Sequence, residues 1–410
     1  MLAESLPWPP LKGGDLRNWQ NLHALSASAC VGVFGLCSND GRRGAAPELP
    51  LAFWTTSTDP ALASPPPRGV RLAARAWLLD PGGHPSDLFY SEAAASELAG
   101  LLADFRPDVV LAEGLWMHGY LDPIRAVGCR TILDCHNVEA AVSGELARAT
   151  QGEDLESRVV RDVIPARTEA IERAAVAAAD QLWACSADDE ARLRHLYAPR
   201  SPVVVIPNGI RMEDYAGPRS DGAPAGDGVL TLAFPGIYSY RPNAFAARFL
   251  IDEVLPRLDA CHAPCRLQLV GPMPTPEMCA AAARDPRIAV TGPVRDVRPF
   301  LAAATVMPVP LFQGSGTRFK LLEAFAAGLP VVSTSKGAEG LGARDGEHLL
   351  VAETAEAFVE AVLALWRDRA LAEGLAARAR TLAAERFSWE AIGPRIRRAV
   401  SQVVGSEALS

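Results

Sequence analysis

Short apolar runs alternate with longer amphipathic stretches from one end of the chain to the other, which is the sequence form of parallel α/β units. In the first half the strand candidates are Cys30–Phe34, Asp108–Ala112, Arg130–Asp134, Gln181–Ala184 and Val203–Ile206. Their near-continuous apolar character predicts strands covered on both faces. Helical periodicity runs between them, longest from about Leu155 to Ala179. Pro207-Asn208-Gly209 is a turn signal, and Gly217–Gly228 is rich in Gly, Pro, Asp and Ala, the composition of an interdomain linker. A second series follows with Leu230–Phe234, Arg266–Val270, Ile288–Val290, Thr305–Val309 and Pro330–Ser333, and beyond Val351 the pattern is almost wholly helical. The expected division is therefore residues 1–212, residues 213–387 and a last helical segment, 388–410. Only Met1–Ser5 precedes the Pro7–Pro10 turn, so a first strand there would be cut short.

Composition narrows this picture. A chain of 410 residues, 49% hydrophobic and 21% charged, is long enough for two or three domains with substantial cores. The formal charge of −8 argues against a general nucleic-acid surface, since no excess of Lys and Arg exists to displace counterions. It leaves room for an anionic small ligand, which needs only a few donors and a helix N-terminus. The 8 cysteines stand mostly singly, several in apolar runs, as Cys185 does, and read as buried reduced thiols of a cytosolic protein. Cys261 and Cys265 have no second Cys/His pair at ligand spacing nearby, so no zinc site is expected. The N-terminus lacks a basic-then-apolar leader, and the uncharged stretch from Pro299 to Phe312 is too short and proline-rich to span a bilayer. A soluble cytoplasmic protein, at most peripheral to the inner face of a membrane, is expected.

The most informative segment is Gly314-Ser-Gly-Thr-Arg-Phe-Lys-Leu-Leu-Glu-Ala-Phe-Ala-Ala-Gly-Leu-Pro330. A strand ending at Pro310 leads into a Gly-Ser-Gly turn. Thr317 or Ser315 can cap a helix over Arg318–Ala327, Gly328 suits a left-handed stop, and Pro330 prevents continuation. Free amides at Gly316 and Thr317, the helix dipole and Arg318 would together attract an anion. Lys320 and Glu323 share one face. Read alone, this is a capped helix with an exposed Lys–Glu pair.

Its neighbours change that reading. Val203–Ile210, Phe234–Asn243, Leu269–Pro272, Val290–Val294 and Gly314–Thr334, in this order and spacing, resemble glycosyltransferase family 4 over nearly the whole chain, and in detail its exopolysaccharide-associated type. The resemblance implies an α/β GT-B fold: two Rossmann-like domains facing a central cleft, with a C-terminal helix crossing back to the N-terminal domain. It implies a retaining transferase that moves a sugar from a nucleoside diphosphate sugar to a carbohydrate or lipid-linked acceptor, with no cofactor or metal required. Such enzymes mark the donor site with two glutamates. The second, which accepts from the ribose hydroxyls, matches Glu323; the first falls at Ser315, a departure that leaves the backbone amides of Gly314–Thr317 to hold the sugar and leaving phosphate. Relatives also carry an Arg and a Lys after the first C-domain strand. Here Gly236–Asn243 offers Arg241 alone, with Arg318 and Lys320 as compensating cations. Asn243 reads as the cap of the next helix.

Gly271 and Gly292 each follow an apolar strand, where open sheets bind ligands, with Val294 close by; simple strand-end turns explain them equally well. Gly13 and Gly14 resemble the family's first glycine-rich loop, which faces the diphosphate. Arg17 reads as a fold-stabilising charge. His118 and His136 lie just past strand ends and are either hydrogen-bonded loop residues or members of the catalytic set, and Asp134 and Glu139 either orient His136 or cap the next helix. Ser388 would cap the last helix and Trp389 would pack between domains. The rival readings are a GT-B sugar-nucleotide epimerase and a non-catalytic nucleotide-sugar-binding subunit.

Overall fold

The computed structural model describes residues 1–8, 10, 13–37, 47–63, 85–215, 228–314 and 318–405. The chain forms two compact units. One is built on Met1–Asn208 and takes in the chain again from Ile392; the other is built on Gly209–Gly314 and Arg318–Ala391.

The first unit holds a seven-stranded parallel sheet of β1 (Leu2–Ser5), β2 (Val31–Cys37), β3 (Leu51–Thr56), β4 (Val109–Glu113), β5 (Arg130–Cys135), β6 (Gln181–Ala184) and β7 (Val203–Val205). Their order is β3-β2-β1-β4-β5-β6-β7. The second unit has β8 (Leu230–Pro235), β9 (Cys265–Val270), β10 (Ile288–Val290), β11 (Met307–Val309), β12 (Val331–Ser333) and β13 (Leu350–Val351). Two three-stranded parallel sheets, β10-β9-β8 and β11-β12-β13, are joined by a bridge between Leu232 and Val306. Each unit thus winds outward in both directions from its first strand, the 3-2-1-4-5-6 order of a Rossmann fold. Such an order opens a crevice beyond the carboxyl ends of the central strands.

Burial explains the apolar runs. Every residue of β2 and of β8 is buried, as strands covered by helices on both faces must be. Leu36, Leu133 and Leu182 anchor the first core; Leu232, Leu267, Phe325 and Phe358 anchor the second. Each such side chain contributes about 1.5–3 kcal/mol by leaving water.

Four expectations need correction. The helical stretch over 155–179 is two helices, Leu155–Asp162 and Ile164–Ala178, because Pro165 cannot donate into a preceding turn and begins a helix instead. Asn243 is not a cap: the helix Arg241–Phe249 starts after Tyr240, and Asn243 lies in its first turn. The helix Phe319–Ala326 is preceded by Arg318 at the cap position, with no side-chain cap bond, whereas Ser315 and Thr317 lie outside the described residues. Of the cysteines, Cys37, Cys135, Cys185 and Cys265 are buried, but Cys30, Cys261 and Cys279 are exposed; all eight are free thiols. The segment 217–227 of the expected linker also lies outside the described residues. Among the described residues, no helix is long and apolar enough to cross a membrane.

Candidate functional site

In the second unit the loops after β8, β9, β10 and β11 gather at the carboxyl edge of the sheet. Gly236 follows β8 and Gly271 follows β9. At φ +140, a Cβ on Gly271 would collide with the Gly236 carbonyl, so glycine is required where these loops cross. Gly236 N–H donates to Val270 O at 2.9 Å, and Gly271 N–H to Thr291 Oγ1 at 3.2 Å. Gly292 (φ +67) and the half-buried Val294 follow β10. Gly314 (φ +100) lies against Tyr240 and Pro242. The helix Phe319–Ala326 starts just past it and ends as the sequence predicts: Gly328 takes φ +64, and Leu329 N–H reaches back to Ala324 O at 2.8 Å.

This helix carries Lys320 and Glu323. Lys320 Nζ donates to Asn243 Oδ1 at 2.7 Å and stands 4.1 Å from the centre of the Phe234 ring. Burial, with the Arg318 charge beside it, lowers the Lys320 pKa to about 7 against the opposing pull of Glu323. Burial raises the Glu323 carboxyl above its usual range, while the Tyr215 hydroxyl and Lys320 favour its ionised form. Tyr215 donates to Glu323 Oε1 at 2.9 Å. The Asn243 amide nitrogen meanwhile donates to Ile237 O at 3.0 Å, so Asn243 links the β8 loop to Lys320.

Two expected cations sit differently. Arg318 is buried, and its Nη2 donates to the carbonyls of Gly314 (2.9 Å) and Lys336 (2.8 Å), with Glu339 at 3.6 Å. Its guanidinium therefore fastens two loops. Arg241 is exposed and lines a groove of about 650 Å³ with Phe245, Arg248, Asp252, Glu277 and Arg284. Gly316, with Ser315 and Thr317, lies outside the described residues.

In the first unit a second polar cluster occupies the matching edge. Gly13 and Gly14 form the first turn of the helix Gly13–Ser26. Arg17 on that helix is buried and pairs through Nε (2.7 Å) and Nη2 with both oxygens of Asp134, while its Nη1 donates to Ile206 O (2.8 Å) and Asn208 Oδ1 (2.9 Å). All of these partners lie within the first unit, the surroundings a fold-stabilising charge would have. Asn21 donates to Asp134 Oδ2 at 2.8 Å. Glu113, at the end of β4, is buried and hydrogen-bonded to Asp134. Burial, then the Asp134 charge, pushes the Glu113 carboxyl well above the carboxylate range; against a similar burial, the charges of Arg17 and His136 hold Asp134 below it.

His136 Nε2 lies 3.2 Å from Glu113 Oε2 and 3.8 Å from Asp134 Oδ2. Its ring sits beside Gly14 and Gly114. Asn18, with its amide nitrogen turned inward, donates to Glu113 Oε2 at 2.9 Å and to Gly14 O at 3.1 Å. Glu139 accepts from Asn137 Nδ2 at 3.1 Å. Glu113, Asp134 and His136 offer ligand atoms within 4.8 Å of one another, the spacing of a metal site. Both Asp134 oxygens are already taken, and the Arg17 charge opposes a cation there, so the cluster reads as a proton-sharing network. His118 is separate from it. Its Nε2 bonds Ser86 Oγ at 2.8 Å and lies 3.2 Å from Asp87, fastening the short helix Pro85–Phe89.

Tyr215, Glu113 and Asn18 escape sequence reasoning. Tyr215 and Glu323 are 108 positions apart, and no local pattern announces such a pair.

The two Rossmann-like units have the GT-B fold of the solved structures that the chain resembles, and each unit matches one glycosyltransferase family model. Residues 33–209 match the family described as Glycosyl transferase 4-like domain, and residues 230–368 match Glycosyl transferases group 1. The chain is 31% identical over 224 residues to a phosphatidyl-myo-inositol mannosyltransferase of Mycobacterium leprae, an alignment covering 53% of this chain and 58% of that protein. The chain thus spans little more than half the length of that relative. Among solved structures it resembles a sucrose-phosphate synthase of Thermosynechococcus elongatus, with TM-score 0.74, 17% identity and 99% of both chains covered. It also resembles Anabaena HepE, solved with UDP and glucose, with TM-score 0.65, 14% identity and 98% of both chains covered.

Proposed function

We propose that this protein is a retaining glycosyltransferase that moves a sugar from a nucleoside diphosphate sugar to an acceptor hydroxyl, in polysaccharide or glycoconjugate synthesis. The observation that carries the reading is the Lys320–Glu323 face of the helix Phe319–Ala326. It presents an enclosed ammonium and a carboxylate beside the glycine loops of a Rossmann edge, in the unit that matches Glycosyl transferases group 1.

Each group has a role that its chemistry supports. Glu323 accepts from a ribose hydroxyl, and Lys320 neutralises the diphosphate as a point charge. Gly236, Gly271, Gly292 and Val294 admit the base and diphosphate close to the backbone. Arg318 holds the Gly314 turn in place. The carbohydrate or lipid-linked acceptor belongs to the first unit, near His136. In the reaction the bond between the anomeric carbon and the phosphate oxygen breaks, and a bond to the acceptor oxygen forms on the same face. The acceptor proton passes to the departing diphosphate. The rate then depends on stabilising that leaving group, and no resident cofactor or metal is required.

Turnover of UDP-, GDP- and ADP-linked sugars against a panel of sugar and lipid-linked acceptors tests this. Transfer with retained anomeric configuration is the expected outcome. Isomerised or hydrolysed donor without transfer would make the protein an epimerase, and binding without turnover a donor-binding subunit; either result overturns the proposal.

A further inference from the structure

Tyr215 closes the short helical turn Met212–Tyr215. Its ring packs against the second unit's core, and the turn is tied down on its other side, where Arg298 Nη1 donates to Asp214 O at 3.1 Å. From this fixed base the phenol reaches Glu323 Oε1 at 2.9 Å. A carboxylate on a helix can rotate about its last bond and present either oxygen. Here Oε1 is claimed by a donor that cannot itself move far, and Oε2 has no hydrogen-bond partner among the described residues.

We propose that Tyr215 is a positioning residue for donor binding: it locks the Glu323 carboxylate so that Oε2 meets the ligand hydroxyl. The inference rests on the reading of Glu323 as the ribose acceptor. An uncharged donor directed at a carboxylate also favours its ionised form, the only form in which both oxygens accept. The charged and titratable groups around Glu323 are Lys320 on the same helix and Asp296 on the loop after β10. Arg298 and Asp214 lie beside the phenol. Lys320 acts in the same direction as Tyr215 on Glu323, and Asp296 acts against both.

Three consequences distinguish positioning from mere packing. Tyr215→Phe keeps the ring and removes the hydroxyl alone, so the core contact survives. In the parent background it should raise the Kd for nucleoside diphosphate by about threefold to tenfold. In a Glu323→Ala background it should change Kd by less than about twofold, since the carboxylate it orients is gone. The pH dependence should also move. Without the phenol, the Glu323 pKa rises further, so binding by Tyr215→Phe should fall away at a higher pH on acidification than binding by the parent.

The experiment is calorimetric titration of the parent, both single variants and the double variant. The probe is whichever of UDP, GDP and ADP the parent binds most tightly, at several pH values, with thermal melts alongside. Equal losses from Tyr215→Phe in both backgrounds, or an unshifted acid limb, would overturn the proposal. If Glu323→Ala itself leaves Kd unchanged, the ribose reading fails and this inference with it, a result distinct from failure of Tyr215 alone. Should Tyr215→Phe melt far below the parent, Tyr215→Leu serves as a second variant. A Kd loss in Tyr215→Leu equal to that in Tyr215→Phe supports the hydroxyl, and a loss scaling with the drop in melting temperature contradicts it.

Discussion

Both units place a cation and carboxylates at the carboxyl edge of a parallel sheet, yet they spend them differently. In the first unit Arg17, Asp134, Glu113 and Asn21 are buried and hydrogen-bonded among themselves and to the Ile206–Asn208 segment, with Asn21 Oδ1 left over, while His136 is partly open. In the second unit Lys320 and Glu323 each have one directional partner, Asn243 and Tyr215, and remain half-buried. Side chains buried and bonded to one another in this way hold a fold together. A lysine and a glutamate with hydrogen-bonding capacity to spare can meet a ligand.

The largest expected effect breaks the first cluster. Arg17→Met removes the cation from a buried pair and leaves Asp134 uncompensated, which should destabilise by about 3–5 kcal/mol. Urea melts measure it; a change below about 1 kcal/mol would show that the pair is not structural. Next comes Glu323→Ala, which should leave stability nearly unchanged. It should weaken nucleoside diphosphate binding by about 1.5–3 kcal/mol, one to two decades in Kd.

Lys320→Met should weaken nucleoside diphosphate by about a decade and plain nucleoside hardly at all, because only the diphosphate carries the charge it reads. The parent should also show a pH signature. With the free Lys320 pKa near 7, the ammonium is present below that value, and binding above it must take up a proton. Affinity should therefore fall as pH rises past 7, by up to roughly tenfold per pH unit. Titrations in buffers of different ionisation heat detect the proton directly, and absence of uptake at pH 8 would contradict the assignment.

The smallest effect concerns Glu113. Its folded pKa lies above the ordinary 4.5, so its contribution to stability is complete at pH below that value and is lost as pH rises through the folded pKa. Glu113→Gln should remove that loss and flatten stability against pH, with a change of less than about 1 kcal/mol in acid. A variant that is as pH-dependent as the parent would place the extra proton elsewhere.

Much of the architecture is legible in the sequence because fully covered parallel strands are written as unbroken apolar runs. β2 and β4 come nearest to that, and β5, β6, β8 and β9 remain readable although Arg130, Gln181, Thr231 and Arg266 interrupt them. β3 does not, since this edge strand, Leu51–Thr56, is only partly buried and carries two threonines. β13 is two residues long and leaves no pattern. Val163 and Pro165 divide a periodicity that reads as continuous.

The site divides along similar lines. Lys320 and Glu323 can be found because a helix brings near neighbours to one face. Tyr215 comes from 108 positions away, and Glu113 reaches His136 across 23 positions on neighbouring strand ends, so the fold alone joins them. Arg318 carries the right charge in the right segment, but its guanidinium is turned to the Gly314 and Lys336 carbonyls, a direction that composition does not encode.

The central claim is that the second unit holds a nucleoside diphosphate through Lys320 and Glu323. Isothermal titration of UDP, GDP and ADP into the parent, Glu323→Ala and Lys320→Met tests it most directly. The account predicts saturable binding of at least one nucleotide by the parent. Both variants should lose at least tenfold in affinity with melting temperatures close to the parent's. Undiminished affinity in both variants, or no binding by the parent to any of the three, would contradict it.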